Sequence, residues 1–123
     1  MKKTRTTILW VVLSATLAVA TMHAAEKRTI KGYIIDSACT FIKDLKKPIS
    51  RDCAVSCAKA GSPLVIQAED GTIYLPISAQ MPAGSQNDKL LPFAGQLVTV
   101  NGAVYEKGGA RAIVIDKIER AAP

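Results

Sequence analysis

Three observations predict a mainly β fold: a five-stranded OB-like Greek-key barrel, with a cysteine-bearing helix between strands 1 and 2 and a short helix between strands 3 and 4. Apolar residues fall in three stretches, alternating at period two in the first and last and in continuous runs in the second, and the last two are split by turn signals, Asp70-Gly71 and Lys107-Gly108-Gly109. The pieces follow in the order strand, cysteine helix, two strands, short helix, two strands, which matches a small OB-type barrel. An open α+β sheet of the same strands is the alternative.

The first strand is "RTIKGYIID", Arg28 to Asp36, with Ile30, Gly32 and Ile34 on one side and Lys31, Tyr33 and Ile35 on the other. Next comes the helix "SRDCAVSCAKAGSP". Ser50 or Asp52 caps its start, Gly61 ends it, and Pro63 prevents its continuation. Its alanines favour helix and keep its surface small enough to lie close against a sheet. "PLVIQAEDGTIYLPI", Pro63 to Ile77, gives strands 2 and 3. Ser78 to Gly95 is polar and punctuated by proline and glycine. Within it, "NDKLLPFAG" predicts a short helix, capped by Asn87 or Asp88 and limited by Pro92 and Gly95. Gln96 to Ile118 gives the last hairpin, with Val98, Val100, Gly102 and Val104 on one face and Ile113, Ile115 and Ile118 in the returning strand. Gly32 and Gly102 suit the bends and close approaches of such a barrel.

Residues 1–25 read as a secretory signal peptide. Lys2, Lys3 and Arg5 form a basic start, Ile8 to Ala20 is an uncharged apolar run, and small residues precede Glu26. Cleavage is expected after Ala20, Ala24 or Ala25. The run is shorter than the roughly 20 apolar residues of a spanning helix, so no stable membrane span is expected after cleavage. The expected location is the periplasm or the outside of the cell. Residues 26–120 form the single OB-like domain, with the cysteine helix as an insertion at 37–62.

Export changes the charge. The whole chain of 123 residues carries 16 basic and 10 acidic residues, net +6; without Lys2, Lys3 and Arg5 the basic count is 13 and the net +3. The basic character thus partly reports the leader rather than a nucleic-acid surface. Single-strand binders stack bases on aromatic platforms in a basic groove. Here Tyr33, Phe41, Tyr74, Phe93 and Tyr105 are scattered one per element. No nucleic-acid partner is expected. The only histidine, His23, leaves with the leader when cleavage follows Ala24 or Ala25. A chain without histidine lacks the commonest general base and metal ligand, so no enzyme is expected. Ser37, Ser56 and Ser62 show no base partner, and no dinucleotide, phosphate-loop or zinc-protease motif is present.

The chemistry therefore rests on Cys39, Cys53 and Cys57. Cys53 and Cys57, at i and i+4, share one helix face. Cys53 lies in the first turn, where backbone N–H groups and the dipole favour a thiolate, and Cys57 lies a turn deeper. Three readings stay open. In the first, a disulfide from Cys39 to Cys53 or Cys57 staples an exported binding or structural module of the cell envelope, for an unidentified protein or small ligand. It would close a loop of about 14 to 18 residues and contribute roughly 3 kcal/mol. It needs no cofactor, and its odd thiol allows a disulfide-linked dimer. A Cys53–Cys57 bond is disfavoured, because side chains a turn apart run parallel. In the second, three thiolates bind Cu(I), which three soft donors suit better than zinc; Asp36 and Asp52 flank the site as auxiliary ligands. In the third, the chain is a thiol-redox partner, although C-x3-C is not the thioredoxin-type spacing.

"GYIIDSACTF", "RDCAVSCAKAGSPLVI", "DGTIYLPI" and "LLPFAGQLVTVNGAVYEKGGARAIVIDKIE" together resemble a group of small exported bacterial OB-fold-like proteins of unknown function. That group shares a D-S-x-C element and a C-A-x-x-C-A-K-A-G-x-P-L element. The resemblance covers nearly all of the chain after the leader. It implies that Cys39, Cys53 and Cys57 are the group's common element, and it brings no activity. Some similar proteins place a histidine three residues before the second cysteine; Ser50 stands there in this chain.

Overall fold

The computed structural model describes residues 25–122; the expected leader lies outside them, apart from Ala25. The elements run β1 (Glu26–Asp36), α1 (Ser37–Ile42), α2 (Arg51–Lys59), β2 (Leu64–Ala68), β3 (Ile73–Pro76), α3 (Asn87–Leu90) with a 3₁₀ turn at Leu91–Phe93, β4 (Leu97–Lys107) and β5 (Ala110–Arg120). The five strands close into an OB-like barrel in the order β1-β2-β3-β5-β4. All neighbours are antiparallel except β3 and β5, where Leu75 and Pro76 pair in parallel with Ala112 and Ile113. The sheet is therefore closed, not open.

Alternation decides which residues fill the barrel. Ile30, Ile34, Leu64, Ile66, Tyr74, Val98, Val100, Val104 and Ile113 are buried in one cluster. Leu90 and Ala94, from α3 and the turn after it, join that cluster, as do Ala54 and Ala58 of α2. The small side chains of α2 let the helix backbone approach the strands, as the alanine-rich sequence predicts. Two strand glycines are fixed by close approach. A Cβ on Gly32 would clash with the Gln67 carbonyl oxygen, and one on Gly102 would clash with that of Val114, beside a β-bulge. The β4–β5 turn is Gly108-Gly109, both with positive φ, as a two-residue primed turn requires.

Two details differ from the sequence reading, and one choice it left open is decided. The insertion holds two helices, not one, with Cys39 in the first of them, α1. Of the two residues offered as the cap of α2, Ser50 takes the role and Asp52 lies in the first turn. Gln86 precedes α3, so neither Asn87 nor Asp88 is its cap. Asn87 instead ties two elements together: its Oδ1 accepts from the Leu64 N–H at 2.9 Å, and its Nδ2 donates to the Ser62 carbonyl at 2.8 Å. Among the described residues, no helix is long and apolar enough to cross a membrane.

Candidate metal centre

β1 ends where β2 begins, since Asp36 is paired with Leu64. The chain between them leaves and returns at one point of the barrel, so α1 and α2 must pack beside each other there. Asp36 governs the departure. It caps α1, its Oδ1 accepting from the Cys39 N–H at 3.0 Å, while its carbonyl accepts from Thr40 Oγ1 at 3.0 Å. The return is held at the same place. Ser62 Oγ donates to Asp36 Oδ1 at 3.3 Å, and Ser37 N–H donates to the Pro63 carbonyl at 2.9 Å.

α2 is fixed at both ends. Ser50 Oγ accepts from the Cys53 N–H at 3.1 Å. At the other end, Gly61 N–H donates to the Ala58 carbonyl and Ser62 N–H to the Cys57 carbonyl, the paired bonds of a Schellman motif. Each α2 cysteine thus lies next to a cap: Cys53 gives its N–H to one, and Cys57 gives its carbonyl to the other.

The result is a cluster of three sulfurs. The Sγ atoms of Cys39, Cys53 and Cys57 all lie within 4.8 Å of one another. All three residues are half-buried with free thiols, so neither expected disulfide is formed in this structure. The two carboxylates named as auxiliary ligands are not part of this group. Asp52 is exposed in the first turn of α2. Asp36 is buried, 1% exposed, and acts as cap and electrostatic neighbour.

Electrostatics follow from that buried carboxylate. Burial works against its ionisation, but donation from the Cys39 side chain and N–H, from Ser62 and from the Ala38 N–H outweighs it. The Asp36 carboxyl is therefore held below its ordinary range. The charge acts back on the thiols. Hydrogen bonding to Asp36, then burial and the negative charge, push the Cys39 thiol up to about 12. Burial first, then the Asp36 charge and the neighbouring Cys53, push Cys57 above the ordinary thiol range. Such thiols are poor nucleophiles near neutral pH, because the reactive species is the thiolate. A cation changes the balance: it can displace the thiol protons, and the resulting thiolates beside the carboxylate surround it with negative charge.

Sequence reasoning did not find the capping role of Asp36, although Asp-Ser before a short helix is a capping signal. It also missed Gln67. This residue is buried and lines a cavity of about 500 Å³ with Asp44, Lys46 and Lys47, and its Oε1 has no hydrogen-bond partner among the described residues. The chain matches no family model, no curated protein and no solved structure.

Proposed function

We propose that the chain is an exported cell-envelope binding module whose three thiols hold one Cu(I) ion. The carrying observation is the convergence of three unbonded sulfurs within 4.8 Å. Sulfurs about 2.3 Å from a shared ion in a trigonal plane stand about 4 Å apart, so closure on the ion needs at most about an ångström of side-chain movement. Thiolates are soft ligands, and residues 26–123 contain no histidine to complete a zinc-type tetrahedron. Cys39, Cys53 and Cys57 are the ligands. Asp36 positions Cys39 and supplies negative potential. The leader-like residues 1–25 support export, and the resemblance to small exported proteins supports the cysteines as the common element. The same lack of histidine, with the Cys39 and Cys57 thiols raised, supports binding rather than turnover.

A competing reading rests on the same proximity. Closing Cys39 onto Cys53 or Cys57 would staple α1 to α2 and leave one thiol free for an intermolecular bond. Anaerobic titration with Cu(I) against a competing chelator separates the two. We expect one Cu(I) per chain, and at least a tenfold loss of affinity in each of Cys39→Ser, Cys53→Ser and Cys57→Ser. Absence of uptake by the reduced protein, or uptake indifferent to Cys39→Ser, would overturn the copper reading. Native mass spectrometry of the protein from its own compartment then reads the alternative directly, as a chain lacking two hydrogens and carrying no metal.

A further inference from the structure

The cysteine insertion is also where the charge of the domain lies. Residues 37–62 contain five basic side chains, Lys43, Lys46, Lys47, Arg51 and Lys59, against two acidic ones, Asp44 and Asp52. The rest of residues 26–123 carries eight of each, so the whole net +3 belongs to the insertion. Three large apolar side chains stand out to solvent on the same stretch: Phe41 is 66% exposed, Ile42 83% and Ile49 68%. Phe41 also lines a shallow depression of about 270 Å³ with Ile73, Leu75 and Arg111, which extends the apolar surface onto the barrel wall.

We infer that this segment docks the domain onto an anionic phospholipid surface. Apolar and cationic side chains alternate from the end of α1 through the connection to the start of α2: Phe41 and Ile42, then Lys43, then Lys46 and Lys47, then Ile49 and Arg51. Among residues 43–50, Asp44 is the sole acid. Lipid headgroups present the matching order in depth, with anionic phosphates outside and hydrocarbon beneath. The lysines pair with phosphates while Phe41, Ile42 and Ile49 enter the boundary. An acidic protein would match the charge, but the protruding, separately exposed apolar side chains fit a fluid layer better than a preformed pocket. The inference rests on charge and exposure, so a failure of Cu(I) binding leaves it standing.

The test uses the chain from Glu26, which contains every strand of the closed barrel and its buried cluster. It is sedimented with vesicles of equimolar phosphatidylglycerol and phosphatidylcholine, and with vesicles of phosphatidylcholine alone. We expect binding to the first only, weakened by salt. Lys43→Gln, Lys46→Gln and Lys47→Gln together are expected to lower the partition coefficient about hundredfold. Phe41→Ser with Ile42→Ser, at unchanged charge, is expected to lower it at least tenfold. Lys117→Gln, elsewhere on the barrel, serves as the control and is expected to have little effect. All these side chains are exposed, so circular dichroism of the variants is expected to match the parent. Equal binding to both vesicle types, no binding, or variants that bind like the parent would overturn the inference. So would self-association of the chain that Ile42→Ser abolishes, which would make the patch a contact between copies.

Discussion

Asp36 does two jobs with one carboxylate. Its Oδ1 fixes the backbone of Cys39, and its charge raises the thiols around it. Asp36→Asn separates these roles, because asparagine caps a helix about as well as aspartate but carries no charge. In this variant Cys39 should ionise at lower pH and react with iodoacetamide at least tenfold faster at about pH 8, with Cys53 and Cys57 changed to serine so that one thiol is read. An unchanged rate would mean that burial, not the carboxylate, sets Cys39. The same charges fix the sign of the pH dependence. Cys39 and Cys57 are protonated in the free protein at neutral pH, and a metal must displace those protons. Apparent Cu(I) affinity should therefore rise with pH, by about a hundredfold or more per unit between about pH 6 and 8, since each displaced proton contributes tenfold. A slope of one proton or less would count against Cys39 and Cys57 acting together as ligands. For folding the sign is reversed. A thiol raised from 9.0 to about 12 makes stability fall as pH climbs through that window, because the unfolded chain ionises first.

Among the elements, α2 was legible and α1 was not, for a physical reason. α2 carries its stop and start signals in sequence: Ser50 ahead of it, Gly61 and Pro63 behind it, and alanines at the positions that face the barrel. α1 is six residues long, too short to show a period, and its cap, Asp36, also reads as the last residue of an alternating strand. Sequence therefore gives Cys39 no element of its own and leaves the meeting of the three thiols open. The caps also carry testable energy. Ser50→Ala removes the acceptor of the Cys53 N–H and should cost about 1 kcal/mol, while Ser50→Asp should retain most of the stability. Urea unfolding measures both, and equal loss in the two variants would show that the hydroxyl serves another purpose. Gly95 supports the same helix start from outside. Its φ is +78°, and a Cβ there would lie 2.7 Å from Arg51 Cα. Gly95→Ala should cost about 1–3 kcal/mol and, by displacing the first turn of α2, weaken Cu(I) binding as well. A variant that unfolds earlier yet binds Cu(I) unchanged would separate the helix start from the metal centre.

At the scale of the whole molecule, the barrel was legible because its strands alternate and its turns are written in glycine. The parallel pairing of β3 with β5 that closes it is written in no local pattern of either strand. What order cannot show is that the insertion leaves and returns at Asp36 beside Leu64 and reaches the core through few side chains, Ala54 and Ala58 buried in it and Val55 partly buried against it. An element held so locally is expected to open without unfolding the barrel, since local opening needs only the breaking of few buried contacts. The thiols bridge α1 and α2, so an ion bound to all three opposes that opening. In the reduced, metal-free protein, amides of α2 should exchange with deuterium well before those of β1 and β4, whose ladders pair Glu26–Tyr33 with Val104–Leu97. With Cu(I) in excess at a thousand times its dissociation constant, binding adds about 4 kcal/mol to any opening that breaks the site, which slows exchange in both helices about a thousandfold. The strands should change little unless they exchange only through global unfolding. Slowing in α2 alone would mean that Cys39 does not bind the ion. Equal protection of α2 and β1 without metal would mean that insertion and barrel open as one unit, and would remove the basis for this coupling.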